Sequence, residues 1–151
     1  MGSVPVWEED GVQYCQSNAI LRMLGIRFGY YTTDADVAWE IDSLLDYMEE
    51  NFNDYIMRNV KQLFGMPLDE VDDAKFIGYF KKMITFLAGR LERFTPGTFI
   101  AGTDTLTIAD LKVYHTFVML FAVESNPVPQ QLKDQVRQMI DQSAPLKTYL
   151  A

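Results

Sequence analysis

The spacing of apolar residues changes early in this chain. Val4 and Val6 alternate around Pro5, and a polar stretch, Glu8-Glu9-Asp10-Gly11, separates them from Val12 and Tyr14. A period of two marks a strand. Pro5 has no N–H to give a ladder, so it marks an edge, a bulge or a cis bond. Asp10-Gly11 is a hairpin signal. Residues 4–14 are therefore expected to form two short antiparallel strands. From Ser17 the spacing becomes helical. Ala19, Ile20, Met23, Leu24 and Phe28 share one face of a helix over 17–28, with Ser17 as its N-cap. Gly29-Tyr30-Tyr31-Thr32-Thr33 reads as a linker.

Beyond the linker the pattern is helical throughout. Thr33 or Asp34 can cap a long helix over 35–64, on which Val37, Ile41, Leu44, Leu45, Met48, Phe52, Tyr55, Ile56 and Val60 recur every third or fourth residue. Gly65-Met66-Pro67 ends it. A second long helix is expected over 70–94, stopped by Pro96-Gly97. Leu106-Thr107-Ile108-Ala109-Asp110-Leu111 is a capping box: Thr107 caps the helix, Asp110 reaches back to the Thr107 amide, and Leu106 and Leu111 can staple its entry. The helix that follows, over 108–124, is apolar on nearly every side, as a central helix is. Shorter helices over 129–142 and 144–150 complete a mainly α chain with a small β-hairpin in front.

Composition narrows the possible chemistry. Of 151 residues, 48% are hydrophobic, enough for a real core, and the formal charge is −8. An acidic balance argues against nucleic acid and anionic membrane faces as partners. No apolar run approaches the ~18 residues of a membrane span. Cys15 is the only cysteine and His115 the only histidine. A lone thiol forms no internal disulfide and suits a reducing compartment, and no metal-ligand spacing is present. One place points to a ligand. A strand end, a tight turn and a helix opening at Gln16-Ser17 form a small site for an anion and a peptide backbone, because a helix start presents free N–H groups.

Val4-Pro5-Val6 followed by Gln16-Ser17-Asn18-Ala19-Ile20-Leu21-Arg22 resembles the cytosolic glutathione S-transferase family, nearest to its sigma, mu and pi branches. The resemblance extends over the whole chain, because Thr107 and Asp110 match the box that opens the buried helix of that family's all-helical domain. It implies two parts: residues 1–29 as part of a thioredoxin-like, glutathione-binding domain, and 34–151 as the all-α domain. It implies that Val4, before a cis Pro5, pairs its backbone with the cysteinyl part of glutathione. Gln16 and Ser17 would hold the γ-glutamyl carboxylate. Glu50, with Asp46 as the next choice, would reach across a homodimer to the α-amino group. The dimer seam would lie along the first long helix, and Trp39 could anchor it.

A complete member of that family places a strand, a helix and a second strand ahead of the Val-Pro element, and these hold the Tyr, Ser or Cys that activates the thiol. Three residues stand before Val4, so the resemblance implies that this chain lacks the thiol-activating residue. The expected function is conjugation of glutathione to electrophiles in the full-length form, in the cytoplasm, without a metal. The alternative is a non-catalytic structural or docking subunit of a larger assembly, recruited through an exposed strand edge. A redox sensor built on Cys15 ranks below both. Tyr114 and Phe117 could line an electrophile pocket, and core packing is the expectation for both.

Overall fold

In the computed structural model the described residues are 5–50, 52–95 and 97–151, without the side chains of 53 and 54. Strands β1 (Val6–Glu9) and β2 (Val12–Cys15) pair antiparallel, with Val6 opposite Cys15 and Glu9 opposite Val12. Asp10 and Gly11 both take positive φ, 51° and 76°, as a two-residue hairpin turn requires. Seven helices follow among the described residues: α1 (Ser17–Phe28), α2 (Ala35–Glu50), α3 (Phe52–Leu63), α4 (Glu70–Arg93), α5 (Ile108–Phe121), α6 (Gln130–Asp141) and α7 (Ala144–Leu150). The span expected as one helix over 35–64 is helical on both sides of residue 51, which lies outside the described residues.

Three helix starts, those of α2, α4 and α5, are capped by side chains of the adjoining sequence. Asp34 Oδ1 accepts from the N–H groups of Asp36 and Val37, both at 3.0 Å, so Asp34 rather than Thr33 caps α2. Asp69 and Asp72 form a reciprocal capping box on α4 that the sequence reading passed over. The expected box on α5 is present. Thr107 N donates to Asp110 Oδ2 at 2.8 Å, and the Thr107 hydroxyl accepts from Ala109 N at 3.3 Å.

The core lies among α2, α4, α5, α6 and α7. Ile41, Leu44 and Leu45 of α2, Phe76, Phe80 and Leu87 of α4, Val113 and Leu120 of α5, Val136 of α6 and Leu146 of α7 are fully buried. Each such side chain contributes about 1.5–3 kcal/mol. The rings of Tyr55, Phe76, Tyr79 and Phe80 pack 5.0–5.7 Å apart. Arg58 is buried beside them, with Asp73 and Gln62 each accepting from it at 2.7 Å. A charge this deep is tolerable only when so paired.

Two expectations need correction. Helix α5 is not covered on every side: Leu111, Tyr114 and Met119 are exposed, Tyr114 at 65%. Only Ile108, Ala109, Val113, Phe117 and Leu120 of its apolar residues are buried, because α2 covers one flank and α1 touches only the helix start. Similarly, Ala19 and Phe28 of α1 are exposed, and its only fully buried residue is Gly25. Helix α1 approaches α5 at that glycine. A Cβ there would stand 2.7 Å from Ile108 Cγ2 and 3.2 Å from Tyr31 Cβ.

Asp110 ties these parts together. Its Oδ2 accepts from the amide and the hydroxyl of Thr107, and its Oδ1 accepts from Ile100 N at 2.9 Å and from the Tyr149 hydroxyl at 2.8 Å. Burial, then the Asp110 charge and hydrogen bond, push the Tyr149 phenol well above its ordinary range. A group whose pKa is raised by folding stabilises fully below its unfolded value, about 10 for Tyr, and that contribution is lost as pH rises through the folded value. Burial raises Tyr31, Tyr47, Tyr55 and Tyr79 in the same direction. The midpoint of urea unfolding is therefore expected to fall above about pH 10, with a shallower fall in Tyr149→Phe. Gly25→Ala should cost about 1–3 kcal/mol by overpacking. In a double-mutant cycle with Ile108→Ala, the double variant should lose less stability than the sum of the two single losses.

Candidate ligand site at the start of the first helix

The chain enters α1 through a strained residue. Gln16 occupies the cap position with φ 71° and ψ 107°, and its side chain makes no cap bond. A non-glycine residue at positive φ is uncommon and costs of order 1–3 kcal/mol, and such strain clusters at ligand sites. Ser17, expected as the N-cap, is instead the first residue of the helix. The bend at Gln16 has already set helical backbone by Ser17, so no capping role remains for the Ser17 side chain. The first intrahelical bond is Ile20 N to Gln16 O, at 2.9 Å. The N–H groups of Ser17, Asn18 and Ala19 therefore have no helical acceptor. Among the described residues the Ser17 hydroxyl is without a recorded partner. Gln16 is exposed and Ser17 half-buried, so an anion can reach both.

Three elements hold this helix start in place. Asn18 donates to Leu45 O of α2 at 3.4 Å and accepts from Lys112 Nζ of α5 at 3.3 Å. Lys112 also reaches Glu49 at 3.5 Å. One turn further along, Arg22 Nε donates to Asp42 Oδ1 at 2.6 Å and Nη2 to Asp46 Oδ1 at 3.3 Å. The Tyr31 hydroxyl donates to Asp42 Oδ2 at 2.8 Å. Burial lowers the Arg22 pKa, but the bonds to Asp42 and Asp46 outweigh it and raise the value. Arg27 at the end of α1 pairs with Glu9 of the hairpin. Finally, Ile108 N donates to Tyr30 O at 2.9 Å, joining the linker to the start of α5.

The expected site residues divide into three groups. Gln16 and Ser17 lie together at the helix start. Pro5 is exposed ahead of β1, while Val4, and with it the Val4–Pro5 bond, lies outside the described residues. Glu50 is exposed at the end of α2; the carboxylates before it on the same stripe, Asp42 and Asp46, are engaged by Arg22 of their own chain. Sequence reading missed Arg22, Asn18 and Lys112 as the groups that fix the helix start. The available signal was the four-residue spacing of Asp42 and Asp46, which presents two carboxylates to one guanidinium.

Cys15 is half-buried beside a cavity of about 260 Å³ lined by Gln13, Ala19, Ile20 and Met23. His115 is exposed on α5. Among the described residues no group of three or more His, Cys, Asp or Glu side chains is placed to hold a metal ion. Among them also, no helix is long and apolar enough to cross a membrane.

Known proteins share this architecture. No family model matches the chain. Glutathione S-transferase 3 of Caenorhabditis elegans is 26% identical over 154 residues, covering 99% of this chain and 73% of its own length. Probable glutathione S-transferase 7 of the same nematode is 32% identical over 129 residues, and the match covers 80% of this chain and 59% of that protein. Among solved structures, the monomeric glutathione S-transferase Na-GST-3 of the hookworm Necator americanus superposes with a TM-score of 0.70 at 20% identity, over 99% of this chain and 67% of that one. The chain has the glutathione S-transferase superfamily fold: a two-stranded N-terminal region and a helix, followed by an all-helical part.

If Arg22 latches α1 to α2, Arg22→Gln should loosen that helix without unfolding the core. A partly exposed pair of this kind is worth about 1 kcal/mol. Amide hydrogen exchange over 20–28 should accelerate roughly fivefold, with exchange in α4 unchanged.

Proposed function

We propose that this chain carries the γ-glutamyl half of a glutathione site, and that the full-length protein conjugates glutathione to electrophiles. The observation that carries this reading is the open start of α1. Three N–H groups without an acceptor among the described residues, and the Ser17 hydroxyl, follow a Gln16 held at φ 71°, where the resemblance places the contacts to the γ-glutamyl carboxylate. Donors fixed before the ligand arrives bind an anion without reorganising.

In this reading Ser17 and Gln16 donate to the carboxylate, and Val4 pairs its backbone with the cysteinyl unit. Glu50 of a partner subunit in a homodimer accepts from the α-amino group. These residues hold and orient the peptide. The chemical step is attack of the glutathione thiolate on an electrophilic carbon, with the thiol proton removed beforehand. A hydroxyl donor that stabilises the thiolate lowers the thiol pKa and raises its fraction at neutral pH. None of the residues assigned here has that task.

Calorimetric titration of the chain with glutathione tests the reading. Binding in the micromolar to millimolar range is expected, weakened roughly tenfold by Ser17→Ala, the size of one charge-assisted hydrogen bond. No binding up to ~10 mM, about −2.7 kcal/mol, or an unchanged affinity in Ser17→Ala, contradicts it. Gln16→Gly should also weaken binding while raising stability by about 1 kcal/mol, because glycine accepts positive φ without strain.

A docking subunit is the second reading, favoured by the hairpin. Val6, Trp7 and Val12 are exposed on a sheet of two strands. Under that reading glutathione does not bind, and Trp7 becomes shielded from acrylamide quenching in a complex.

A further inference from the structure

A separate cavity of about 580 Å³ lies between the end of α4, the loop that follows it and α7. Leu91, Phe94, Phe99, Pro145 and Tyr149 give it apolar walls. Two of these rings are fixed before any ligand arrives. Phe94 is pressed against Gly102, where a Cβ would stand 2.6 Å from the Phe94 Cδ1. Tyr149 is held by the hydrogen bond from its hydroxyl to Asp110, at 2.8 Å. Among the described residues none from α1 or α2 lines the cavity. Neither a glutathione at the start of α1 nor a homodimer seam along α2 draws on its residues.

The polar groups of the lining favour one kind of partner. Thr98 donates its hydroxyl hydrogen to Thr95 O at 2.8 Å, Thr148 donates to Ala144 O at 3.0 Å, and Tyr149 donates to Asp110. A hydroxyl has one hydrogen, so these three oxygens have only lone pairs left to offer. The one charged side chain in the lining is Glu92, an exposed carboxylate without a recorded ion pair among the described residues. The cations next in sequence to Glu92 and Thr148 are engaged elsewhere. Arg93 pairs with Glu40 and Lys147 with Asp141, both at 3.0 Å. A formal charge of −8 on the whole chain adds a field that draws cations.

We propose that this cavity binds a small aromatic amine in its ammonium form, its ring against Leu91, Phe94 and Phe99 and its ammonium on Glu92. An ammonium brings three donors and no acceptor, the complement of a carboxylate flanked by lone pairs. Its bond to Glu92 is charge-assisted. Aromatic walls stack on a planar body and attract a cation. The volume suits two fused rings with a short side chain. Walls already fixed by Gly102 and Asp110 cost the ligand little ordering. This assignment stands apart from the glutathione reading and shares no residue with the start of α1.

Calorimetry with three indoles of similar shape and different charge tests it: tryptamine, the neutral alcohol tryptophol, and indole-3-acetate. Tryptamine should bind roughly tenfold more tightly than tryptophol, the size of one charge-assisted hydrogen bond, and indole-3-acetate should bind weakest. Glu92→Gln should abolish the preference for tryptamine over tryptophol, and Glu92→Asp should keep part of it. Glu92 also touches a neighbouring groove along α4 and α6, which Thr148 does not line. Thr148→Trp should therefore block tryptamine and tryptophol alike if they occupy this cavity. Glu92 and Thr148 are both exposed, so the variants are expected to fold, and circular dichroism checks that they do. Equal affinities for tryptamine and tryptophol, a preference that survives Glu92→Gln, binding unchanged in Thr148→Trp, or no tryptamine binding up to ~1 mM overturns the assignment.

Discussion

One buried carboxylate sets the geometry on which the rest of the molecule depends. Asp110 accepts four hydrogen bonds, from Thr107 twice, from Ile100 and from Tyr149. They join the start of α5 to the crossing loop before it and to the last helix of the chain. A carboxylate is tolerated inside a core when donors are aimed at its lone pairs. Asp110 therefore does more than cap a helix. It fixes where α5 begins relative to the crossing loop and α7, and Ile108, two residues earlier, takes its position from that.

The candidate ligand site depends on this position. Ile108 receives Gly25 of α1 in a contact too close for any side chain, and its amide binds the carbonyl of Tyr30. Helix α1 is thus set against α5 at its C-terminal end. At its other end Asn18, Lys112 and the Arg22–Asp42–Asp46 cluster set it against α5 and α2. A short helix with one fully buried residue has little core of its own, so its orientation comes from these polar ties. They hold the open N–H groups of Ser17, Asn18 and Ala19 in a fixed direction, which lets a helix start serve as an anion site.

The sequence was most legible where local rules apply. The helical spacing of α2 through α6, the turn at Asp10-Gly11 and the Thr107–Asp110 box all follow from periodicity and short-range hydrogen bonding, and all are present. Long-range partners were less legible. Nothing near Asp110 announces that Tyr149, 39 residues away, donates to it. The apolar circumference of α5 suggested full burial, because composition says what a helix could bury and not what neighbours exist to cover it. Gln16 shows the opposite limit. Glutamine has no preference for positive φ, so the turn and helix start around Gln16-Ser17 and the resemblance singled out that position, while the backbone strain there appears only in the structure.

The account of function rests on whether the start of α1 receives glutathione. The most direct measurement is a two-dimensional ¹H–¹⁵N spectrum of the labelled chain as glutathione is added. The account predicts saturable shifts concentrated at the amides of Gln16, Ser17 and Asn18, with α4 and α6 unmoved. Shifts centred elsewhere, or no saturable shift up to ~10 mM, an affinity weaker than about −2.7 kcal/mol, would contradict it.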